Sequence, residues 1–282
     1  MPTSEELAQS AKEAYSKDGN NGMAQRNKLT KGKIAMIVCA CVLVVVISLG
    51  LGLGFGFPSG TYNGMKYHTA NGKIMITDHV GNDSDVVVPN RIMGKKVTQI
   101  KSYAFYECTN LKSIVIGSNI TNIGSAAFWG CSNLQSVTIP NSVTIIDSYT
   151  FLRCSSLQSI TIPNGVRVIG EYAFSNCSGL QSVTIPDSVT SIGNFAFSEC
   201  YSLTSVVIGS GVTRVGIAAF NSYSNLTVVY YNGTSEDWDK IDFAPNNLWI
   251  VKTTICYYSE TAPTASGNYW HYDTDGVTPV RW

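Results

Sequence analysis

The sequence predicts a mainly β solenoid of 23-residue repeats with hairpin caps, preceded by one transmembrane α-helix. Three observations carry that expectation: phenylalanines recur at one fixed interval, apolar and hydroxyl side chains alternate within each interval, and one long uncharged stretch lies near the N-terminus.

Composition narrows the classes before any motif does. Of 282 residues, 44% are hydrophobic and 13% charged, and the formal net charge is zero. A neutral chain lacks the long-range field that draws polyanions, so nucleic acid is not an expected partner. The first 33 residues are polar and low in large apolar groups, which predicts a disordered cytoplasmic tail. Residues 34–57 then run IAMIVCACVLVVVISLGLGLGFGF without a charge. At ~1.5 Å per residue that run would reach about 36 Å, more than the ~30 Å hydrocarbon core of a bilayer. A signal peptide would be shorter and nearer the N-terminus. Arg26, Lys28, Lys31 and Lys33 precede the run and no charge follows it until Lys66, which predicts a single-pass plasma-membrane protein with a cytoplasmic N-terminus and an extracellular repeat domain.

The repeat follows. Phe105, Phe128, Phe151, Phe174, Phe197 and Phe220 lie 23 residues apart, as do Leu111 to Leu226 and Cys108, Cys131, Cys154, Cys177 and Cys200, with Tyr223 closing the cysteine column. Each unit reads L-x-S-(I/V)-x-I, a turn, V-T-x-I-G and A-F-x-x-C. Its first part alternates like a strand, with Val183 and Ile185 inward and Ser182 and Thr184 outward. One unit cannot bury its own apolar face, so units must stack and place like residues above one another. The cysteine column then faces inward and is expected to hold buried thiols.

This unit resembles the BspA-type leucine-rich repeat of microbial surface proteins. The resemblance runs from about Val86 to Tyr258, because the leucine spacing, the I-P turn, the I-G pair and the A-F-x-x-C block recur together. It departs at one bend, where Asn119 is followed by Ser142, Gly165, Ser188 and Gly211, so no asparagine ladder is expected and the backbone there needs other partners. The resemblance implies a leucine-rich-repeat solenoid over residues 100–231, with residues 58–99 as N-terminal cap and degenerate first repeat and residues 232–282 as C-terminal cap.

Within the caps, Asn71-Gly72 between Lys66–His68 and Ile74–Ile76 signals a hairpin. Five extra residues around Arg91 to Lys95 predict a surface loop. Thr234 and Asp237 predict a capped short helix carrying Trp238. Residues 267–282, GNYWHYDTDGVTPVRW, predict an aromatic hairpin about Asp275-Gly276 that shields the last coil.

Chemistry is sparse. His68, His79 and His271 occur in no metal-ligand spacing, carboxylates do not repeat in register, and neither a metal, a cofactor nor a catalytic site is expected. What repeats outside the core is a neutral, hydroxyl-rich strand face. Its ligand-binding candidates are Ser136, Thr138, Ser159, Thr161, Ser182 and Thr184, flanked by Gln135, Gln158 and Gln181. The family resemblance implies adhesion or protein–protein interaction with an extracellular protein or cell-surface ligand. The alternative is carbohydrate or cell-wall binding through Tyr269, Trp270, Tyr272 and Trp282, whose rings can hold sugars or cations.

Overall fold

Each L-x-S-(I/V)-x-I segment forms a strand because alternate side chains have one apolar and one aqueous side to satisfy. The computed structural model describes residues 59–282 except 222–224, 248–249, 251–252 and 265. The face strands are Asp85–Val88, Ser113–Ile116, Ser136–Thr138, Ser159–Thr161, Ser182–Ile185, Ser205–Gly209, Val228–Asn232 and Thr254–Tyr258. Neighbours pair in parallel, and in the regular coils the register equals the sequence period: Ser159 lies beside Ser182, Ser182 beside Ser205, and Val207 beside Tyr230. The ladder divides once, between Ser136–Thr138 and Ser159–Thr161, where no strand pairing joins the two sheets.

The I-G pair of each unit makes a second, two-residue ladder. Ile145–Ile146, Val168–Ile169, Ser191–Ile192, Arg214–Val215 and Asp242–Phe243 pair in that order. Between the two ladders lies the core. Phe105, Phe128, Phe151, Phe174 and Phe197 are fully enclosed, and successive rings stack at 5.1–5.3 Å.

The third side of each coil is held chiefly by backbone hydrogen bonds. Tyr103, Ala126, Tyr149, Tyr172, Phe195 and Ala218 all adopt left-handed φ of +50° to +63°, again every 23 residues. Non-glycine residues pay roughly 1–2 kcal/mol for that conformation. The return is a set of hydrogen bonds between coils: the N–H groups of Tyr149, Phe151 and Arg153 donate to the carbonyls of Glu171, Ala173 and Ser175 at 2.8, 2.8 and 2.9 Å.

The cysteines belong to the same device. The thiols of Cys131, Cys154, Cys177 and Cys200 donate to the carbonyls of Phe105, Phe128, Phe151 and Phe174 at 3.0–3.2 Å. Burial raises the Cys131 and Cys177 thiols to about 12, so both stay protonated. Tyr223, expected to close the column, lies outside the described residues.

At the bend without an asparagine ladder, side chains substitute individually. Asn119 Nδ2 donates to the Asn90 carbonyl at 3.1 Å, Ser142 Oγ to that of Ser118 at 2.9 Å and Ser188 Oγ to that of Val166 at 2.7 Å. Gly165 and Gly211 occupy the same column with no room for a side chain: a Cβ on Gly211 would stand 1.9 Å from the Asp187 carbonyl oxygen. Gly211→Ser is therefore expected to cost about 1–3 kcal/mol by overpacking, although serine serves the equivalent position 188. A urea denaturation midpoint equal to wild type would show that the coils part freely there.

The N-terminal cap is a meander, Ser59–Tyr62, Met65–Ala70 and Lys73–His79, turning at Asn71 and Gly72 with φ of +51° and +71°. The five-residue extension is itself a small hairpin, in which Arg91–Ile92 pairs with Lys95–Lys96. His79 heads the phenylalanine column, its ring 5.1 Å from Phe105, with Nδ1 3.7 Å from Cys108 Sγ and Nε2 buried without a partner among the described residues. Burial holds its pKa below the ordinary 6.5, against the opposing pull of Asp83 and Asp78. The unfolded chain then binds the proton first, so stability is lost as pH falls from about 6.5 toward the lower folded value. Melting temperature between pH 7.5 and 5 should fall in wild type and less steeply in His79→Phe, which continues the ring stack; equal slopes would clear His79 of the effect.

One expectation is corrected. The transmembrane helix placed over residues 34–57 lies outside the described residues, and among the described residues no helix is long and apolar enough to cross a membrane. Their apolar side chains are dealt into strands of two to seven residues that alternate or stack, not into a continuous run. Among the described residues the fold class is a mainly β solenoid, and no transmembrane helix is part of it.

Candidate ligand-binding cleft

The nine residues of the predicted face are all exposed: Ser136, Thr138, Ser159, Thr161, Ser182 and Thr184 within the strands, and Gln135, Gln158 and Gln181 immediately before them. Parallel pairing in register puts Ser159 beside Ser182 and Thr161 beside Thr184, so serines and threonines form adjacent columns there, and Ser136 pairs with Ser113 in the neighbouring sheet. Elsewhere the hydroxyls are spent on the fold: Thr190, Thr204, Thr213 and Thr227 each donate to a carbonyl of the preceding coil at 3.1–3.2 Å. Among the described residues, the six face hydroxyls make no such bond and remain available.

The C-terminal segment limits this face. Thr234 caps the turn Ser235–Trp238 by accepting from the Asp237 N–H at 3.2 Å, and buried Trp238 closes the core. Thr254–Tyr258 continues the sheet, Tyr269–Tyr272 pairs with it in parallel, and Pro279–Arg281 returns antiparallel. The aromatic hairpin does more than extend the stack. Trp270 is fully enclosed on the outer side of the sheet in a second apolar cluster with Val207, Val228 and Cys256. Its Nε1 donates to the Tyr231 carbonyl at 2.9 Å, and Tyr230, Tyr258 and Tyr272 surround it at 4.8–5.4 Å.

The hairpin tip overhangs the face and encloses a cleft of about 440 Å³. Thr161, Thr184, Val207, Asn232 and Asp187 line its floor, with Tyr272, Gly276 and Val277 opposite. A contiguous chamber of about 480 Å³ lies over Ser159, Ser182 and Ser205 beneath Val277, Thr278 and Pro279. Two of the nine face residues, Thr161 and Thr184, thus line the cleft with Tyr272 of the aromatic set, and Ser159 and Ser182 line the adjoining chamber. Gln135, Ser136, Thr138, Gln158 and Gln181 lie on the open face outside the cleft.

The four aromatic candidates do not share one surface. Side-chain alternation turns Trp270 and Tyr272 toward the sheet and Tyr269 away. Trp282 packs on His271 at 4.0 Å and donates from Nε1 to the Ser259 carbonyl at 3.0 Å. Trp270 leaves no ring face free.

Sequence reasoning did not select Asp187. Its column otherwise holds Ser118, Asn141, Asn164 and Ser210, so one carboxylate among neutral side chains was the available signal. The structure fixes it: Oδ1 accepts from the Ser210 N–H at 2.7 Å and from Ser210 Oγ at 3.1 Å, and Asn232 Nδ2 reaches both carboxylate oxygens at 2.9 Å. No group of three or more metal-ligating side chains occurs among the described residues.

A family profile described as BspA type leucine rich repeat region matches residues 88–176 and 146–256, in six copies. Among solved structures, the chain is similar to the leucine rich repeat protein TpLRR of T. pallidum, with 29% identity, a TM-score of 0.56, and coverage of 59% of this chain and 90% of that one. It is also similar to a leucine rich cell surface protein of Faecalibacterium prausnitzii, with 27% identity and a TM-score of 0.58. That alignment covers 77% of this chain but only 59% of the other, so the chain spans less than two thirds of that relative. The pneumococcal vaccine antigen PcpA, 18% identical with a TM-score of 0.54 over 67% of this chain and 46% of that one, shares the fold. No curated protein matches.

Proposed function

The chain belongs to the BspA-type leucine-rich-repeat family, and from that premise we propose that it is a cell-surface adhesion or interaction protein. It holds an extracellular protein or cell-surface ligand on the sheet face between Ser136 and Thr184. The observation that carries this is the availability of the face: six exposed hydroxyls in two columns, with the three glutamines beside them, take no part in holding the coils. Extended repeat stacks commonly bind macromolecules on such surfaces. The matched family is one of repeat scaffolds, and no catalytic step is assigned to any residue.

Placement of residues 59–282 outside the cell belongs to the same proposal. The cell-surface description of the similar F. prausnitzii protein supports it. Protease added to intact cells should remove the repeat domain; protection until lysis would refute that placement.

Binding is tested with Thr161→Arg/Thr184→Arg, which raises two long side chains from the face without touching the core. The full-length protein should be retained by immobilised matrix proteins or host cells, and the double variant should bind at least tenfold more weakly at an unchanged melting temperature. Equal retention of both proteins would place the contact elsewhere.

A further inference from the structure

We propose that the cleft under the hairpin tip receives a lysine side chain carried by an extended segment of the protein partner. This rests on the face being the binding surface, and adds what the surface selects.

Among the described residues, Asp187 is the only charged one lining either chamber, and no cation lines them to neutralise it. A carboxylate with three different donors already fixed on it is pre-organised, because less side-chain entropy remains to be lost on binding. Those donors also decide between cations. Oδ1 accepts from the Ser210 N–H, Ser210 Oγ and Asn232, whereas among the described residues Oδ2 accepts from Asn232 alone. With one oxygen filled, a bidentate guanidinium finds half of its match, while a point-charge ammonium needs only the free side of Oδ2. Tyr272 lines the same chamber and offers an aromatic ring to a cation. Burial and the nearby Asp187 raise the Tyr272 hydroxyl above its ordinary value, so the ring stays neutral and adds no competing charge.

The rest of the lining suits the stem and the chain that bears it. Ile160, Val207 and Val277 provide apolar contact for four methylenes. Beyond them, the second chamber continues along Ser159, Ser182 and Ser205, whose hydroxyls can meet the backbone of an extended strand. Among the described residues an anion would find no cation here, and a metal ion would find one carboxylate.

The test uses four pools of random dodecapeptides with a central lysine, arginine, norleucine or glutamate, passed over the immobilised full-length protein. The lysine pool should be retained at least tenfold over the norleucine pool and ahead of arginine, with the preference weakening as salt rises from 50 to 500 mM. Asp187→Asn, which keeps the oxygen that accepts from Ser210, should reduce lysine retention to the norleucine level, and Asp187→Glu should restore part of it. That recovery separates loss of charge from loss of the turn. A lysine preference that survives Asp187→Asn overturns the proposal. Equal retention of all pools that Thr184→Arg abolishes also overturns it while leaving the face as the binding surface. Retention of no pool overturns the lysine assignment too, and the face is then judged by the matrix and cell binding described above.

Discussion

Phe174→Ala should lower stability by about 3–5 kcal/mol and break the cooperativity of the stack. The ring is fully enclosed and lies 5.3 Å from Phe151 and 5.1 Å from Phe197, so its loss opens a cavity between two rings that cannot close on each other. The backbone has no freedom to collapse, because Phe174 N–H donates to the Ala196 carbonyl at 2.8 Å and its own carbonyl takes the Cys200 thiol at 3.2 Å. In a repeat stack, stability is close to a sum of unit and neighbour terms, and this mutation removes two neighbour terms at once. Denaturant unfolding should therefore show a lower midpoint and a shallower, divided transition as the two halves uncouple. Phe220→Ala removes one ring contact, with Phe197 at 5.1 Å, and should cost less. Equal costs for the two would mean that coupling between coils is not what stabilises the rod.

That column was legible because a fixed period survives in the sequence whatever the turns between do. The strand alternation, the Asn71-Gly72 turn and the Thr234 cap were legible for the same reason: each is settled by residues close in the chain. His79 was not, since it joins the phenylalanine file from an irregular cap 26 residues before Phe105, where spacing carries no information. The left-handed column was also hidden. Tyr103, Tyr149, Tyr172 and Phe195 are interrupted by Ala126 and Ala218, and only hydrogen bonding between coils reveals that all six share one conformation. At the candidate site, the hydroxyl columns followed from alternation. The cleft did not, because it exists only where residues 272–279 fold over strands about 70 to 120 positions earlier in the chain.

Trp270→Ala should cost about 3–5 kcal/mol locally, by undocking the hairpin and leaving the repeat core standing. Trp270 sits at the centre of an apolar cluster that is separate from the main core, so its loss is not transmitted through the phenylalanine file. Local opening of this kind belongs to a unit with its own stability. Amides within Tyr269–Arg281 should exchange with solvent much faster, while those of Phe151 and Phe174 keep their protection. Trp270→Phe retains a ring and removes only the Nε1 bond to the Tyr231 carbonyl, so a loss of about 0.5–1.5 kcal/mol is expected. The two variants also weigh the hairpin's purpose. If the tip is one wall of the binding cleft, Trp270→Ala should weaken ligand retention as much as crowding the floor with Thr184→Arg. If the hairpin only shields Val207 and Val228, the alanine variant should keep its ligand and instead self-associate through the newly exposed patch, which sedimentation of the purified protein would detect. Full retention without self-association would remove both roles.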